Sequence, residues 1–431
     1  MSLPSRRAVI TGSAALTPIG NDPAAIWQAL VDGRSGVATI QSFDASQLPC
    51  RFAGEVRNFV AKQHFSNKDP KEKEAGKGLR KMARAIQLGL VTSKLTMANA
   101  QLERGQLDAT RFGVEMGAAM MAIELPDLVA AAKISSNGQP GQVSLADWGA
   151  KGIDTIEPTW MLKYLPNMPA CHITILHDAQ GPSNTHTGGD ISGLQALGEA
   201  FRIIQRSQAD FLLAGAADSK LEPIVQARHN LFFPFTRRRE EPERSVRPFD
   251  RDRDGNVLAE GSALFAVEEL EHAQKRGAAI QAEVVGFGAA VDVQRNGSGL
   301  ARAMRAALRE AGISPADVDH VNAHGLATRE TDLWEARGLR EVFGPNDPPV
   351  FAGKGFVGHC SAAAGAVELY FSLLALQKAA LPGSINCDHP DPECRVHVHT
   401  GVPRALRTPY VLKLSFTDLG QCAAIVLRRW E

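Results

Sequence analysis

Residues 181–205 read GPSNTHTGGDISGLQALGEAFRIIQ and predict a polar turn followed by a long helix. Apolar side chains recur there at steps of three and four residues, at Ile191, Leu194, Leu197, Phe201 and Ile204. This spacing is typical of a helix that buries one face, so we expect the helix to begin at about Asp190. The apolar run at 173–176 predicts a strand before the turn. Asp190 would then lie at a helix N-terminus, where the simplest expectation is an N-cap.

The composition describes a chain with a large core and no excess of charge. Its 431 residues are 44% hydrophobic and 22% charged, with a formal net charge of zero. A neutral chain gives no electrostatic reason to expect nucleic acid or an anionic membrane as a partner. No apolar run is long enough to cross a bilayer. Six scattered cysteines without a CxxC pair favour a reducing, cytoplasmic location.

The predicted elements of the first half recur in the second half. The first half has an apolar strand at 8–12, the central helix and a continuous apolar run at 209–218 that suits a buried strand. A second set of strands and helices follows, at 280–287, 300–311, 320–323, 328–342, 350–353 and 362–377. The repeated order predicts an α/β fold with two similar halves, which we divide into residues 1–270 and 271–431.

Four segments of the chain resemble the β-ketoacyl synthases, the condensing enzymes of fatty-acid and polyketide assembly. They are the 181–193 turn, VNAHGLAT at 321–328, GKGFVGHCSAAAGAVE at 353–368 and LKLSFTDLGQCAAIVLRRW at 412–430. The segments follow the family's order along the chain. The resemblance implies the thiolase fold, in which duplicated halves form a five-layered αβαβα sandwich. It also implies a dimer that works with an acyl carrier protein.

The resemblance assigns roles to particular residues and reveals one replacement. Asp190 stands where the family has its nucleophilic cysteine. An aspartyl anhydride would be hydrolysed too readily to replace the acyl thioester. His324 and His359 match the two catalytic histidines of the family. Lys354 matches the family's lysine at the site, and Glu368 matches the glutamate that pairs with that lysine.

Two further departures concern the residues that would bind substrate. Leu326 replaces the first of two threonines that bind the pantetheine arm in the family, and Thr328 matches the second. In the C-terminal segment, Thr417, Asp418 and Leu419 replace the Gly-Phe-Gly centre of the family's gate. Glycine lets that backbone move and approach the thioester closely, so we expect the replaced loop to do this poorly.

Two predicted carboxylates bear on function. We expect Asp190 and Asp418 to lie beside the histidines, where they would repel malonate and raise the histidine pKa values. The sequence therefore favours a non-condensing homologue, similar to the chain-length-factor subunits, that forms a homodimer or pairs with a cysteine-containing ketosynthase. Two alternatives stay open, namely decarboxylation of malonyl carrier by the two histidines and altered acid–base chemistry on an acyl thioester. No cofactor or metal is expected, because the spacing matches a metal-free site.

Overall fold

The structure is a computed structural model that describes residues 6–345 and 347–431. The strands of this part of the chain are β1 (Ala8–Leu16), β2 (Val37–Thr39), β3 (Phe52–Gly54), β4 (Phe112–Gly117), β5 (Ser183–His186), β6 (Phe211–Ser219), β7 (Glu260–Glu269), β8 (Ala282–Val291), β9 (Val318–Asn322), β10 (Val350–Phe351), β11 (Ala380–Leu381), β12 (Arg404–Ala405), β13 (Tyr410–Phe416) and β14 (Gln421–Arg429). Ten of them form one sheet, and two small ladders join β2 with β3 and β11 with β12.

Helices flank the large sheet. They are α1 (Pro23–Val31), α2 (Pro70–Gly78), α3 (Arg84–Asn99), α4 (Pro126–Ser135), α5 (Leu145–Asp147), α6 (Met168–His177), α7 (Ser192–Gln205), α8 (Pro223–Phe232), α9 (Leu270–Lys275), α10 (Ser298–Ala311), α11 (Arg329–Phe343), α12 (Lys354–Val357) and α13 (Ala364–Lys378). Asp22 and Asp69 cap α1 and α2 by accepting backbone hydrogen bonds, and a proline follows each cap. This pairing of a carboxylate cap with proline fixes where the two helices begin.

The two halves of the large sheet share one strand order. The first half has the order β5-β4-β6-β7-β1 and the second has β10-β9-β13-β14-β8. Directions match too, since β4 is parallel to β5 and β6 just as β9 is parallel to β10 and β13. Strands β7 and β14 run antiparallel to their neighbours. The halves meet where β1 pairs with β8, so the predicted duplication is confirmed.

Helices α7 and α13 lie between the two halves of the sheet. Helix α7 packs on β4 and β6, α13 packs on β13 and β7, and the two helices contact each other. Helix α3 covers the other face of the first half, because its Gly89 approaches Ala217 whereas Gly193 of α7 approaches Ala216. Successive side chains of a strand point to opposite faces. Helix α10 packs on β8 and β14 of the second half. The layers therefore follow the order α3, first half of the sheet, α7 with α13, second half of the sheet, α10.

One predicted strand is wrong. Residues 173–176 belong to α6 (Met168–His177), which has a proline in its first turn. A short apolar run cannot by itself distinguish a strand from a buried helical segment. The strand before the central turn is instead β5 (Ser183–His186), whose polar residues lie at the edge of the sheet.

Each central helix follows a turn with a left-handed glycine. Gly189 has a φ of +65° before Asp190, and Gly358 has a φ of +79° before His359. Glycine adopts this backbone conformation without the steric penalty that a Cβ would bring. Short 3-10 turns then lead into α7 and α13. The fold therefore brings Asp190 and His359 to the starts of two adjacent buried helices.

Candidate active site

The structure brings Asp190, His324 and His359 together. His359 Nε2 lies 3.0 Å from Asp190 Oδ1, and His324 Nε2 lies 3.7 Å from Asp190 Oδ2. The two imidazole rings are nearly perpendicular, with centroids 6.3 Å apart. Only 17% of the Asp190 side chain is exposed. Each carboxylate oxygen therefore faces one histidine in a largely buried site.

Asp190 lies close to both histidines, but neither contact has the alignment of a full hydrogen bond. Nε2 of His324 and Nε2 of His359 have no hydrogen-bond partner among the described residues, although His359 approaches Asp190 closely. A short distance with poor alignment gives a weak polar attraction without a full hydrogen bond. Both Nε2 atoms therefore lie beside the carboxylate without forming a full hydrogen bond to it.

Asp190 does not cap α7, so the predicted N-cap is wrong. The residue lies in a 3-10 turn, α7 begins at Ser192, and no side chain caps its first turn. The carboxylate points to the histidines, and the backbone oxygen of Asp190 accepts a hydrogen bond from Ser415 Oγ at 2.7 Å. Ser415 belongs to β13 in the other half, so a contact between the halves fixes the turn.

The charges around Asp190 keep its carboxyl group ionised. Burial by itself would raise the pKa of Asp190. The imidazoles of His359 and His229 and the ammonium of Lys354 outweigh burial and hold the pKa below its usual range. The site therefore contains a fixed negative charge.

A buried network of lysines and a glutamate lies behind His324. Lys354 Nζ is 3.1 Å from His324 Nδ1, and it donates to Glu368 Oε1 at 2.7 Å. Lys413 donates to the other oxygen of Glu368 and to Ala323 O. An ammonium group only donates, so Nδ1 of His324 accepts and the ring proton lies on Nε2. The network thus fixes the tautomer that directs an N–H toward Asp190.

The prediction that carboxylates raise the histidine pKa values is wrong for His324. Burial and the charges of Lys354 and Lys413 lower the pKa of His324 well below its usual value. A neutral imidazole results, because desolvation and two nearby cations oppose the Asp190 carboxylate.

The second predicted carboxylate is not at the site. Asp418 is exposed, and no hydrogen bond or ion pair joins it to another residue within the described ranges. Its neighbour Leu419 is 70% exposed as well. The tip of the turn between β13 and β14 therefore faces outward, which corrects the expectation that Asp418 lies beside the histidines. Thr417 points inward, with its methyl group near the Gly189 turn.

Two carboxylates hold the loop that carries His324. Glu335 accepts from the backbone N–H groups of His324 at 2.7 Å and Gly325 at 2.8 Å. Asp332 accepts from Ala327 N at 3.0 Å, where the backbone has a φ of +63°. Both carboxylates are fully buried in α11. They fix a loop conformation that a non-glycine residue rarely adopts.

The residues predicted to bind the pantetheine arm flank this loop. Leu326 is half-buried. Thr328 is the N-cap of α11, and its hydroxyl bonds Thr331 Oγ1 at 2.6 Å. The Thr328 hydroxyl is therefore engaged in helix capping in this structure.

One residue near the site, His229 of α8, was not predicted from the sequence. Its Nδ1 lies 2.8 Å from Val225 O, and its ring stacks on Phe233 and Phe235 with centroids 4.7 Å and 5.9 Å away. His229 lies near enough to Asp190 to contribute to the lowered pKa of that carboxyl group. No motif marks this position, and its link to the site depends on tertiary packing.

The described residues offer neither a metal cluster nor a membrane span. Residues 6–345 and 347–431 hold no group of three or more His, Cys, Asp or Glu side chains spaced to bind a metal. No helix in these ranges is both long and apolar enough to cross a bilayer.

Two family models match the chain. "Beta-ketoacyl synthase, N-terminal domain" covers residues 5–273 and "Beta-ketoacyl synthase, C-terminal domain" covers residues 277–388. A 3-oxoacyl-[acyl-carrier-protein] synthase 2 of Vibrio cholerae is 32% identical over 98% of this chain and 99% of its own length. The synthase of the same name from Coxiella burnetii is 33% identical over the same shares.

Solved structures of ketosynthases superpose on nearly the whole chain. One is a type II polyketide ketosynthase in complex with its acyl carrier protein, with a TM-score of 0.83 and 26% identity. Another is the ishigamide ketosynthase/chain length factor, with a TM-score of 0.85 and 25% identity. Each alignment covers 99% of this chain and 100% of the other. The predicted thiolase fold is confirmed.

Proposed function

Because the chain belongs to the β-ketoacyl synthase family, we propose that it is a non-condensing subunit of fatty-acid or polyketide synthesis that pairs with a cysteine-containing ketosynthase. The observation that carries the proposal is the Asp190 carboxylate, 3.0 Å from His359, at the position that we align with the family's nucleophile. Carboxylate oxygen cannot carry an acyl group through repeated thioester exchange, because the mixed anhydride is too reactive.

The charge of Asp190 also opposes the second step of condensation. Decarboxylation of malonate develops negative charge, which neutral histidine N–H groups would stabilise. Here the space between His324 and His359 already faces an anion at 3.7 Å and 3.0 Å. A malonate group or its enolate would meet repulsion at the point where it needs stabilisation.

No neighbouring cysteine supplies a substitute nucleophile. Cys360 follows His359 in the chain, but it is buried and its thiol donates toward Glu260 O at 3.5 Å. Burial raises the pKa of Cys360 far above the range in which a thiolate forms. Cys171 is partly exposed in α6, and the other four cysteines are buried. This supports a subunit without a thiol nucleophile at its site.

The open edge of the sheet supports pairing with another chain. Strand β5 has one neighbour, β4, and its residues Ser183 and Asn184 are exposed. The backbone oxygens of Pro182 and His186 accept hydrogen bonds from the β4 side. Alternate residues direct their backbone groups the same way, so the N–H of Thr185 faces the open edge, where Asn184 Oδ1 accepts it at 2.8 Å. Such an edge is suited to pairing with a second strand.

Co-expression tests the proposal. Cysteine-containing ketosynthases from the same genome are expressed with this chain, and the complexes are analysed by native mass spectrometry. We expect a heterodimer. In the heterodimer a carbonyl of the partner strand would replace Asn184 Oδ1 as the acceptor of the Thr185 N–H. Thr185→Pro should therefore weaken the heterodimer by removing this N–H, whereas Thr185→Ala should not. A stable homodimer that excludes every such ketosynthase would contradict the proposal and favour chemistry at Asp190 itself.

Decarboxylation of malonyl carrier is the second candidate, and the state of His324 favours it. Its imidazole is neutral, and Lys354 fixes the proton on Nε2, as a donor to an enolate requires. We expect CO2 release to be slow, to be lost in His324→Ala and to rise about tenfold in Asp190→Asn. Equal or faster release by the unaltered protein would make Asp190 a participant and support altered acid–base chemistry.

A further inference from the structure

Helix α8 contains a buried amide group without a hydrogen-bond partner. Gln226 is fully buried, and neither its Nε2 nor its Oε1 is hydrogen-bonded to a described residue. An unpaired buried polar group costs roughly 1–3 kcal/mol, and native proteins pair nearly all of them. Both polar atoms of this side chain therefore require a partner other than the described residues, either water or a ligand.

A second unpaired group lies across from α8. Asn256 is 5% exposed, and its Oδ1 also lacks a partner in the described part of the chain. Its backbone pairs with Phe235, on which the ring of His229 stacks. Gln226 and His229 are three residues apart and share one face of α8. The unpaired atoms of Gln226 and Asn256 thus lie on elements that pack together.

These elements lead directly to the Asp190 site. Two residues after Asn256, Leu258 pairs with His359, and Ala259 N donates to His359 O at 2.9 Å. The 256–258 segment therefore joins the His359 turn on one side to Phe235 and His229 on the other. The influence of His229 on the pKa of Asp190 is consistent with this arrangement.

The chemistry of this face is specific. Nδ1 of His229 lies 2.8 Å from a backbone carbonyl, so it carries the ring proton, and Nε2 is a lone-pair acceptor. Burial lowers the pKa of His229, which keeps the ring neutral. Gln226 offers both a donor and an acceptor, and Asn256 offers an acceptor. A saturated hydrocarbon chain pairs with none of these groups, whereas an oxo group accepts from the amide and a hydroxyl group donates to the acceptors.

We propose that α8 and the 256–258 segment form one wall of a binding site for an acyl chain that carries oxo or hydroxyl groups, as opposed to a saturated fatty acyl chain. The inference rests on the proposed function only in taking an acyl thioester as the ligand. It holds whether the chain condenses, decarboxylates or assists a partner.

Calorimetric titration of the full-length protein tests this wall. The probes are two hydrolysis-resistant pantetheine analogues of equal length, one with a hexanoyl chain and one with a 3,5-dioxohexanoyl chain. We expect the oxygenated probe to bind at least about tenfold more tightly, as one or two satisfied buried hydrogen bonds would give. Gln226→Leu and His229→Phe should each remove most of this preference. The exposed controls Gln377→Leu and His397→Phe should retain it.

Several results would overturn the inference. They are equal affinity for both probes, tighter binding of the saturated probe, binding of neither, or a preference that both wall variants retain. Should Gln226→Leu fail to fold, His229→Phe alone decides the question. The readout is binding, so it does not depend on turnover or on the heterodimer. A heterodimer with no preference between the probes would defeat this inference alone, and a preference without a heterodimer would defeat the partner proposal alone.

Discussion

The turns before α7 and α13 are built alike but present opposite kinds of chemical group. Each has a glycine with positive φ, Gly189 or Gly358, directly before the key residue, and a 3-10 turn leads into a buried helix. Asp190 lies within the first 3-10 turn, whereas His359 precedes the second. The first turn presents the carboxylate of Asp190, and the second presents the imidazole of His359. A similar turn therefore precedes both central helices, with an acid in the first half and a histidine in the second.

The second half also keeps the support that a histidine donor needs. Lys354, Glu368 and Lys413 form a fully buried network behind His324. Buried charges persist when they are paired and hydrogen-bonded, and this network meets both conditions. The site thus has a histidine side held by buried charges and a carboxylate side at the turn before α7. The predictions below test the two sides separately.

The largest loss of stability is expected from breaking the buried network of Lys354, Glu368 and Lys413 in the second half. Glu368→Leu leaves two buried lysines without their shared carboxylate, so it should cost about 3–5 kcal/mol of unfolding free energy or prevent folding. Glu341→Leu is the control, because Glu341 pairs with Arg305 at the surface and should cost at most about 1 kcal/mol. Urea denaturation at pH 7 measures both. Similar losses in the two variants would show that the network does not support the fold.

An intermediate loss of stability is expected at low pH, because of His177 in the first half of the chain. Burial and the charges of Lys94 and Arg104 lower the pKa of His177 to about 3. The unfolded chain, with an ordinary histidine pKa near 6.5, then binds the proton more readily, so stability falls as pH drops from about 6.5 toward 3. His177→Gln keeps a donor toward Ser93 and removes the titration.

Urea denaturation at several pH values checks this expectation. Between pH 7 and pH 5, the variant should lose about 2 kcal/mol less than the unaltered protein. The exposed His397→Gln should lose as much as the unaltered protein does. If the unfolding free energies of His177→Gln and the unaltered protein fall equally with decreasing pH, His177 is not the acid-sensitive group.

The smallest effect is expected at Asp418. Its side chain is exposed and does not contact the histidines, so Asp418→Asn should change the unfolding free energy by less than about 0.5 kcal/mol. The rate of CO2 release from malonyl carrier should also stay constant, in contrast with Asp190→Asn. Faster CO2 release by the Asp418→Asn variant would show that a second carboxylate lies at the site, as the sequence predicted.

Local sequence patterns predicted the elements that bury a regular face. The three- and four-residue spacing of Leu194, Leu197 and Phe201 located α7 to within two residues, because burial of one face imposes that period. The repeated order of elements likewise anticipated the matching strand orders of the two halves. Strand β5 was missed, since a polar edge strand lacks the apolar pattern of a buried one.

Side-chain directions could not be predicted, because distant residues determine them. Asp190 has the residue type and position of an N-cap, yet Ser415 fixes its turn from 225 residues away and the histidines attract its carboxylate. We aligned Asp418 with the Gly-Phe-Gly centre of the family's gate, and it lies at an exposed turn. The pKa of His324 depends on Lys354 and Lys413, which only the folded chain brings together.

The most direct test of the central claim is the intact mass of the protein after incubation with an acyl-carrier thioester. A cysteine-containing relative serves as the positive control and should gain the mass of the acyl group. We predict that this chain gains none, because Asp190 cannot hold an acyl group and Cys360 is buried with a raised pKa. A stable acyl adduct on the chain, located by peptide mapping to Asp190 or to any cysteine, would contradict the account.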